Sequence, residues 1–147
     1  MKIKFHKKEI SKISKKILDK AVKIKSNKAR VVALSGNLGA GKTTLTQELA
    51  KLLKVKENIV SPTFVIMKIY KINSSKYKNY FKQMVHIDAY RLESSDELTK
   101  IGWEELEGNK DNLIIIEWPE NVKKHLKDDA YWIKLEHKDD QTRVVEF

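Results

Sequence analysis

Residues 30–44 read RVVALSGNLGAGKTT, and this stretch decides the fold. The first six residues, 30–35, are a continuous apolar run of strand length, as expected of a strand buried on both faces. They run straight into Gly36-Asn37-Leu38-Gly39-Ala40-Gly41-Lys42-Thr43, which satisfies G-x-x-x-x-G-K-[ST]. Three of the chain's five glycines fall within these six positions, 36–41. Glycines let the backbone turn tightly enough to aim successive N–H groups at phosphate oxygens. From Thr43 onward Leu45, Leu49, Leu52 and Leu53 recur at helical spacing, so a helix N-terminus also faces the loop. In this pattern Lys42 supplies a cation to the β- and γ-phosphates, and the Thr43 hydroxyl is a ligand for a bridging Mg²⁺. Nucleotide binding is the expectation.

A phosphate loop of this kind needs an acid at the end of another buried strand, to hold Mg²⁺ or its water. Two runs qualify: Met84-Val85-His86-Ile87-Asp88 and Leu113-Ile114-Ile115-Ile116-Glu117. The second is the more apolar and better suits a central strand beside the loop strand. Glu117 is therefore assigned to the magnesium shell, and Asp88 to the γ-phosphate end, orienting the attacking water. Ser61-Pro62-Thr63-Phe64 lies where nucleotide hydrolases carry a switch loop. Thr63 there can bind Mg²⁺ or the γ-phosphate, though on spacing alone an ordinary loop threonine is the plainer reading.

Around this centre the chain reads as one mixed α/β domain spanning residues 1–147. Ile3 and Phe5 suit a short opening strand. Ile10, Ile13, Ile17, Leu18, Ala21 and Val22 make an amphipathic helix with a lysine-rich outer face. A turn is expected at 26–29. Residues 64–72 and 80–88 read as two strands, antiparallel across the loop NSSKYKN. Ser94-x-x-Glu97 predicts a capping box opening a helix to about Ile101, followed by Gly102. Residues 112–117 are a second buried strand, and Pro119 opens a helix with Val122 and Leu126 on one face. Residues 131–136 and 143–147 form a closing hairpin.

Composition bounds the function. The chain has no cysteine, which excludes disulfides and thiolate chemistry, and its four histidines are scattered. The longest apolar run is far short of a membrane span, and the opening MKIKFHKKEISK lacks the apolar core of a secretory signal. A cytoplasmic protein with no membrane contact is expected. Net charge is +10, and 27 of the 30 basic residues are lysine. A lysine-dominated surplus reads as a solvated surface in preference to a base-reading face, which favours arginine.

Taken together, four segments resemble the small bacterial ATPases of the TsaE (YjeE) family. They are Gly36 to Thr44, Ser61-Pro62-Thr63-Phe64, His86-Ile87-Asp88-Ala89-Tyr90-Arg91-Leu92 followed by Glu97-Leu98 and Gly102, and Glu117-Trp118-Pro119-Glu120. The resemblance implies a Mg²⁺-dependent P-loop ATPase needed for threonylcarbamoyladenosine in tRNAs reading codons that begin with A. It implies work within a complex with two transferase proteins of TsaB and TsaD type, meeting tRNA through that complex, without itself transferring the carbamoyl group. By position, residues 36–44 hold the nucleotide, Thr43 and Glu117 hold Mg²⁺, and Lys42, Thr63, Asp88 and Glu117 form the hydrolysis machinery. Asn37 and Ala89 depart from the family's frequent residues. The N-terminal helix, where the family contacts the base, matches poorly, so Ser11 is only a guess there. Trp118 reads equally as a site-facing aromatic or plain packing. Arg91 reads equally as a phosphate or partner contact or a structural ion pair.

Three other functions compete. A small-molecule kinase would need an arginine-bearing lid, and only Arg30, Arg91 and Arg143 exist. A GTPase would need Asn-Lys-x-Asp, whereas the chain has Asn109-Lys110-Asp111-Asn112. A nucleotide-gated tRNA-binding module would use Lys68, Lys71, Lys76, Lys78 and Lys82.

Overall fold

The structure is a computed structural model describing residues 1–61, 66–126 and 128–147. The elements are β1 (Lys2–His6), α1 (Ile10–Lys23), β2 (Arg30–Ser35), α2 (Lys42–Leu52), β3 (Met67–Lys71), β4 (Gln83–Asp88), α3 (Asp96–Lys100), α4 (Trp103–Gly108), β5 (Asn112–Glu117), β6 (Tyr131–His137) and β7 (Thr142–Glu146). A single seven-stranded sheet runs in the order β1-β7-β6-β2-β5-β4-β3. Strands β6, β2, β5 and β4 are parallel, and antiparallel partners close both edges. This is the mixed α/β sheet expected from the sequence.

The apolar runs sit where their composition demands. Every residue of β5 is buried, because β2 and β4 flank it and helices cover both faces. Alternate side chains divide between two cores. Val32, Leu34, Leu113 and Ile115 join α1 and α2 on one face. Ala33, Ile114, Ile116 and Ile87 join Leu98, Trp103 and Val122 on the other. The hydrophobic stripe of α1 buries Ile13, Ile17, Leu18 and Ala21 against α2.

Several boundaries differ from expectation. The run predicted over 64–72 is strand over Met67–Lys71, with residues 62–65 outside the described part. The run predicted over 80–88 begins only at Gln83. Tyr80 and Phe81 belong to the preceding turn, where Phe81 is buried and Arg30 stacks over its ring at 5.5 Å. The capping box is half formed: Glu97 accepts from the Glu93 and Ser94 backbone N–H groups, but the N-cap Ser95 makes no side-chain bond. Pro119 does open a helix, but it is a 3₁₀ segment, Pro119–His125, broken at Val122 (φ −129°). The short α4 follows Gly102, whose φ of +84° restarts the chain, and was not foreseen.

Candidate functional site

The loop between β2 and α2 needs its glycines for stated reasons. Gly36 has φ +145°, and a Cβ there would sit 2.5 Å from the Leu135 carbonyl oxygen on β6. Gly41 has φ +105° and immediately precedes α2. The loop thus bends over the end of the sheet and delivers the N-terminus of α2 beneath it, an arrangement suited to anions. Asn37, Leu38 and Gly39 are exposed, with Leu38 at 80%.

Lys42 opens α2 and is buried. Its ammonium donates to the Gly36 carbonyl at 2.5 Å and the Asn37 carbonyl at 3.0 Å. It also lies 4.1 Å from the centre of the Trp118 ring, a cation–π contact. Burial pushes this ammonium below its ordinary pKa, against the opposing pull of the Glu117, Glu120 and Asp88 charges. Trp118 therefore faces the site. It reaches that position through a left-handed backbone (φ +58°) directly after β5, and Tyr90 packs on it at 5.0 Å.

Glu117 ends β5 and is 2% exposed. Thr43 Oγ1 donates to its Oε2 at 3.0 Å, and Thr46 Oγ1 approaches its Oε1 at 3.3 Å. His86 Nε2 lies 2.9 Å from the same Oε1. Sheet geometry explains this third contact. Glu117 pairs with Asp88 across β4–β5, so His86, two residues earlier, sits diagonally on the same face. Thr43 and Thr46 are one helical turn apart and both look down on that face.

Asp88 is also buried. Its Oδ2 accepts from Ser61 Oγ at 2.6 Å, and its Oδ1 from the Tyr90 N–H at 3.0 Å. The segment leading to Ser61 is tied to α2 by Gln47, which donates to the Ile59 carbonyl at 2.9 Å. The segment after β5 is tied to the same region. Asn121 donates to the Ala89 carbonyl at 2.8 Å, and Ser35 donates to Glu120. The phosphate loop, Ser61, the end of β4 and the segment after β5 thus meet at one end of the sheet. Thr63 lies outside the described residues.

An open cleft of about 640 Å³ flanks the loop, lined by Gly36, Asn37, Trp118, Glu120 and the end of β6. On the other side a recess of about 90 Å³ lies between Ala40, Gly41, Thr44, Ile10 and Arg143. Ser11 is not among the residues lining it. Among the described residues no group of three or more His, Asp or Glu side chains could hold a metal by itself. Thr43 and Glu117 offer two hard oxygen donors, which suits Mg²⁺, an ion that keeps several waters and takes its other ligands from phosphate.

Comparison with known proteins then decides the family. The family model described as threonylcarbamoyl adenosine biosynthesis protein TsaE matches residues 6–145. The chain belongs to the TsaE family. It is 40% identical over 116 residues to the tRNA threonylcarbamoyladenosine biosynthesis protein TsaE of Rickettsia prowazekii, covering 78% of this chain and 74% of that one. It is 32% identical over 130 residues to the protein of that name in Haemophilus influenzae, covering 88% and 77%. The crystal structure of Bacillus subtilus YdiB superposes with a TM-score of 0.69 at 26% identity, over 99% of this chain and 83% of that one. The TsaE assignment places the protein in threonylcarbamoyladenosine biosynthesis.

Beyond the residues given a role from the sequence, the candidate site includes His86, Thr46 and Glu120. The first two had a signal: His86 shares the two-residue period of β4 with Asp88, and Thr46 the three-residue spacing of α2 with Thr43. Arg143, from β7, had none. It stands beside Gly41 only because β7 folds back along β6.

Proposed function

We propose that this TsaE-family protein hydrolyses ATP with Mg²⁺, and that hydrolysis serves tRNA threonylcarbamoylation within a complex with transferase proteins of TsaB and TsaD type. The observation that carries this reading is the apposition of Thr43 and Glu117 at 3.0 Å, directly under a G-x-x-x-x-G-K-T loop. A hydroxyl and a carboxylate held together there are the two protein ligands such a magnesium site uses.

Each residue then has a part. The backbone N–H groups of residues 36–44 cradle the phosphates. Lys42 exchanges its two loop carbonyls for phosphate oxygens and stabilises charge on the transferring group. Thr43 and Glu117 would hold Mg²⁺, which would supply positive charge to the phosphates when bound. Asp88 orients the attacking water, and Thr63 is assigned to the γ-phosphate by its position in the family's motif alone. His86 and Thr46 fix the Glu117 carboxylate. The recess beside Thr44 lies on the α1 side of the loop, where the base is expected.

Lys42 donates to two loop carbonyls, and Asp88 accepts from Ser61 and Tyr90. Slow hydrolysis by the protein alone, and faster hydrolysis once partners complete the site, is expected. Phosphate release from ATP, with Mg²⁺ or with EDTA and with or without the two transferase proteins, tests this. The expected result is magnesium-dependent release stimulated by the pair. Transfer of phosphate to an added acceptor, or no release in any combination, would contradict it.

A further inference from the structure

The net charge is not spread evenly along the chain. Residues 1–28 contain eleven lysines against Glu9 and Asp19, a net +9 of the chain's +10. The remaining 119 residues are nearly neutral, at +1. A solvating habit would distribute charge along the chain, so this concentration points to a surface with a task.

The structure places five of those eleven lysines on one face. Lys12, Lys15, Lys16, Lys20 and Lys23 are all exposed on α1 and line an open cleft of about 760 Å³. Its floor includes Tyr131 and Phe147, whose rings stack 6.2 Å apart, with Lys20 5.1 Å from the Tyr131 centroid. Asp19 is the acidic residue in the lining, and it is neutralised: Lys76 binds it at 2.8 Å and Tyr77 donates to it at 3.1 Å. Lys76 belongs to the loop between β3 and β4, so that loop extends the basic face. Among the described residues none of Lys15, Lys16, Lys20 or Lys23 has a carboxylate at ion-pair distance. From Lys12 to Lys23 the helix rises about 16 Å, several nucleotide steps of one strand. The cleft shares no lining residue with the one beside Gly36.

We propose that this α1 face binds the sugar–phosphate backbone of tRNA directly. Lysines supply point charges to phosphates without reading sequence. The choice of tRNA as occupant rests on the reading that the protein serves tRNA modification.

The test is fluorescence anisotropy of a labelled tRNA transcript against the protein across a KCl series, without nucleotide. Wild type should bind with a slope of log K against log salt of about −3 to −4, as four or five neutralised phosphates give. K15Q/K16Q/K20Q/K23Q should flatten the slope by about 3 and weaken binding at least about tenfold. K100Q/K110Q/K123Q/K124Q, which removes the same charge elsewhere, should leave both nearly unchanged. Circular dichroism should show both variants folded, since all eight lysines are exposed. Equal loss in the two variants, no salt-dependent binding by wild type, or displacement of the RNA by polyglutamate at equal concentration would each overturn the proposal. The last would assign the face to an acidic protein. Wild type that hydrolyses ATP but ignores RNA refutes only this inference. Wild type that binds RNA but never hydrolyses ATP refutes only the proposed function.

Discussion

Glu117 and Asp88 end neighbouring strands, face each other in register and are both buried, yet their surroundings differ. Two hydroxyls and an imidazole hold Glu117, a fixed anion aimed at the first turn of α2. Asp88 is held by one hydroxyl and one backbone N–H, with no imidazole beside it among the described residues. The difference suits a metal ligand in one case and a water-orienting group in the other. Glu117→Gln keeps the shape and removes the charge, so magnesium-dependent nucleotide affinity and turnover should both fall, turnover by roughly 100-fold or more. Asp88→Asn should retain ATP affinity within a few-fold and lose turnover by a similar factor. Calorimetric Kd values in Mg²⁺ alongside phosphate release separate the two, and equal losses of affinity in both variants would contradict the division of roles.

The loop and α2 act as one element, because the loop's shape depends on contact with β6. Gly36→Ala would place a Cβ 2.5 Å from the Leu135 carbonyl, a backbone atom that cannot swing away, at a φ of +145°. A loss of about 1–3 kcal/mol in stability is expected, together with weakened ATP binding. Urea unfolding and nucleotide titration of the same variant check both. Leu49 is wholly buried where α2 meets α1 and the sheet, so Leu49→Ala should cost about 2–5 kcal/mol while sparing ATP affinity in the folded fraction. Elements of this kind were legible in the sequence because burial on both faces writes an unbroken apolar run, as in β2 and β5. Tyr80 and Phe81 misled for the same reason: a buried turn under Arg30 and a strand start look alike in composition. Nothing in the chain marks α4 except Gly102, since its six residues are too few for a helical period to declare itself.

Long-range pairing shapes the whole molecule and was the least legible part. The sequence predicts the β6–β7 hairpin, but not that β1 returns to pair with β7 at the sheet's edge, residue 2 against residue 146. That pairing positions α1 over the sheet, and so places Ile10 beside the phosphate loop and the lysine face beside Tyr131. The assembly of the candidate site was legible at Lys42, Thr43, Asp88 and Glu117 because strand ends and loop spacing announce them. Trp118 stayed open because its approach to Lys42 depends on a left-handed residue that no pattern signals.

Burial also makes the whole molecule sensitive to alkali. It pushes the Tyr131 phenol up to about 12, and Tyr70 and Tyr77 above their usual value of 10.0. The unfolded phenols ionise first, so the unfolded state sheds protons while the folded state keeps them. Stability should be unaffected by these groups below pH 10 and fall as pH rises from 10 to about 12. Urea midpoints across pH 9 to 12 follow this, and Tyr131→Phe should flatten the decline.

The central claim is that the loop, Lys42 and the Thr43–Glu117 pair constitute an ATP-hydrolysing site. Its most direct test is steady-state phosphate release from Mg-ATP in the presence of both transferase proteins, comparing wild type with Lys42→Ala. The expected result is turnover by wild type that falls roughly 100-fold or more in the variant while its melting profile is retained. Undiminished turnover by a folded Lys42→Ala protein would contradict the account.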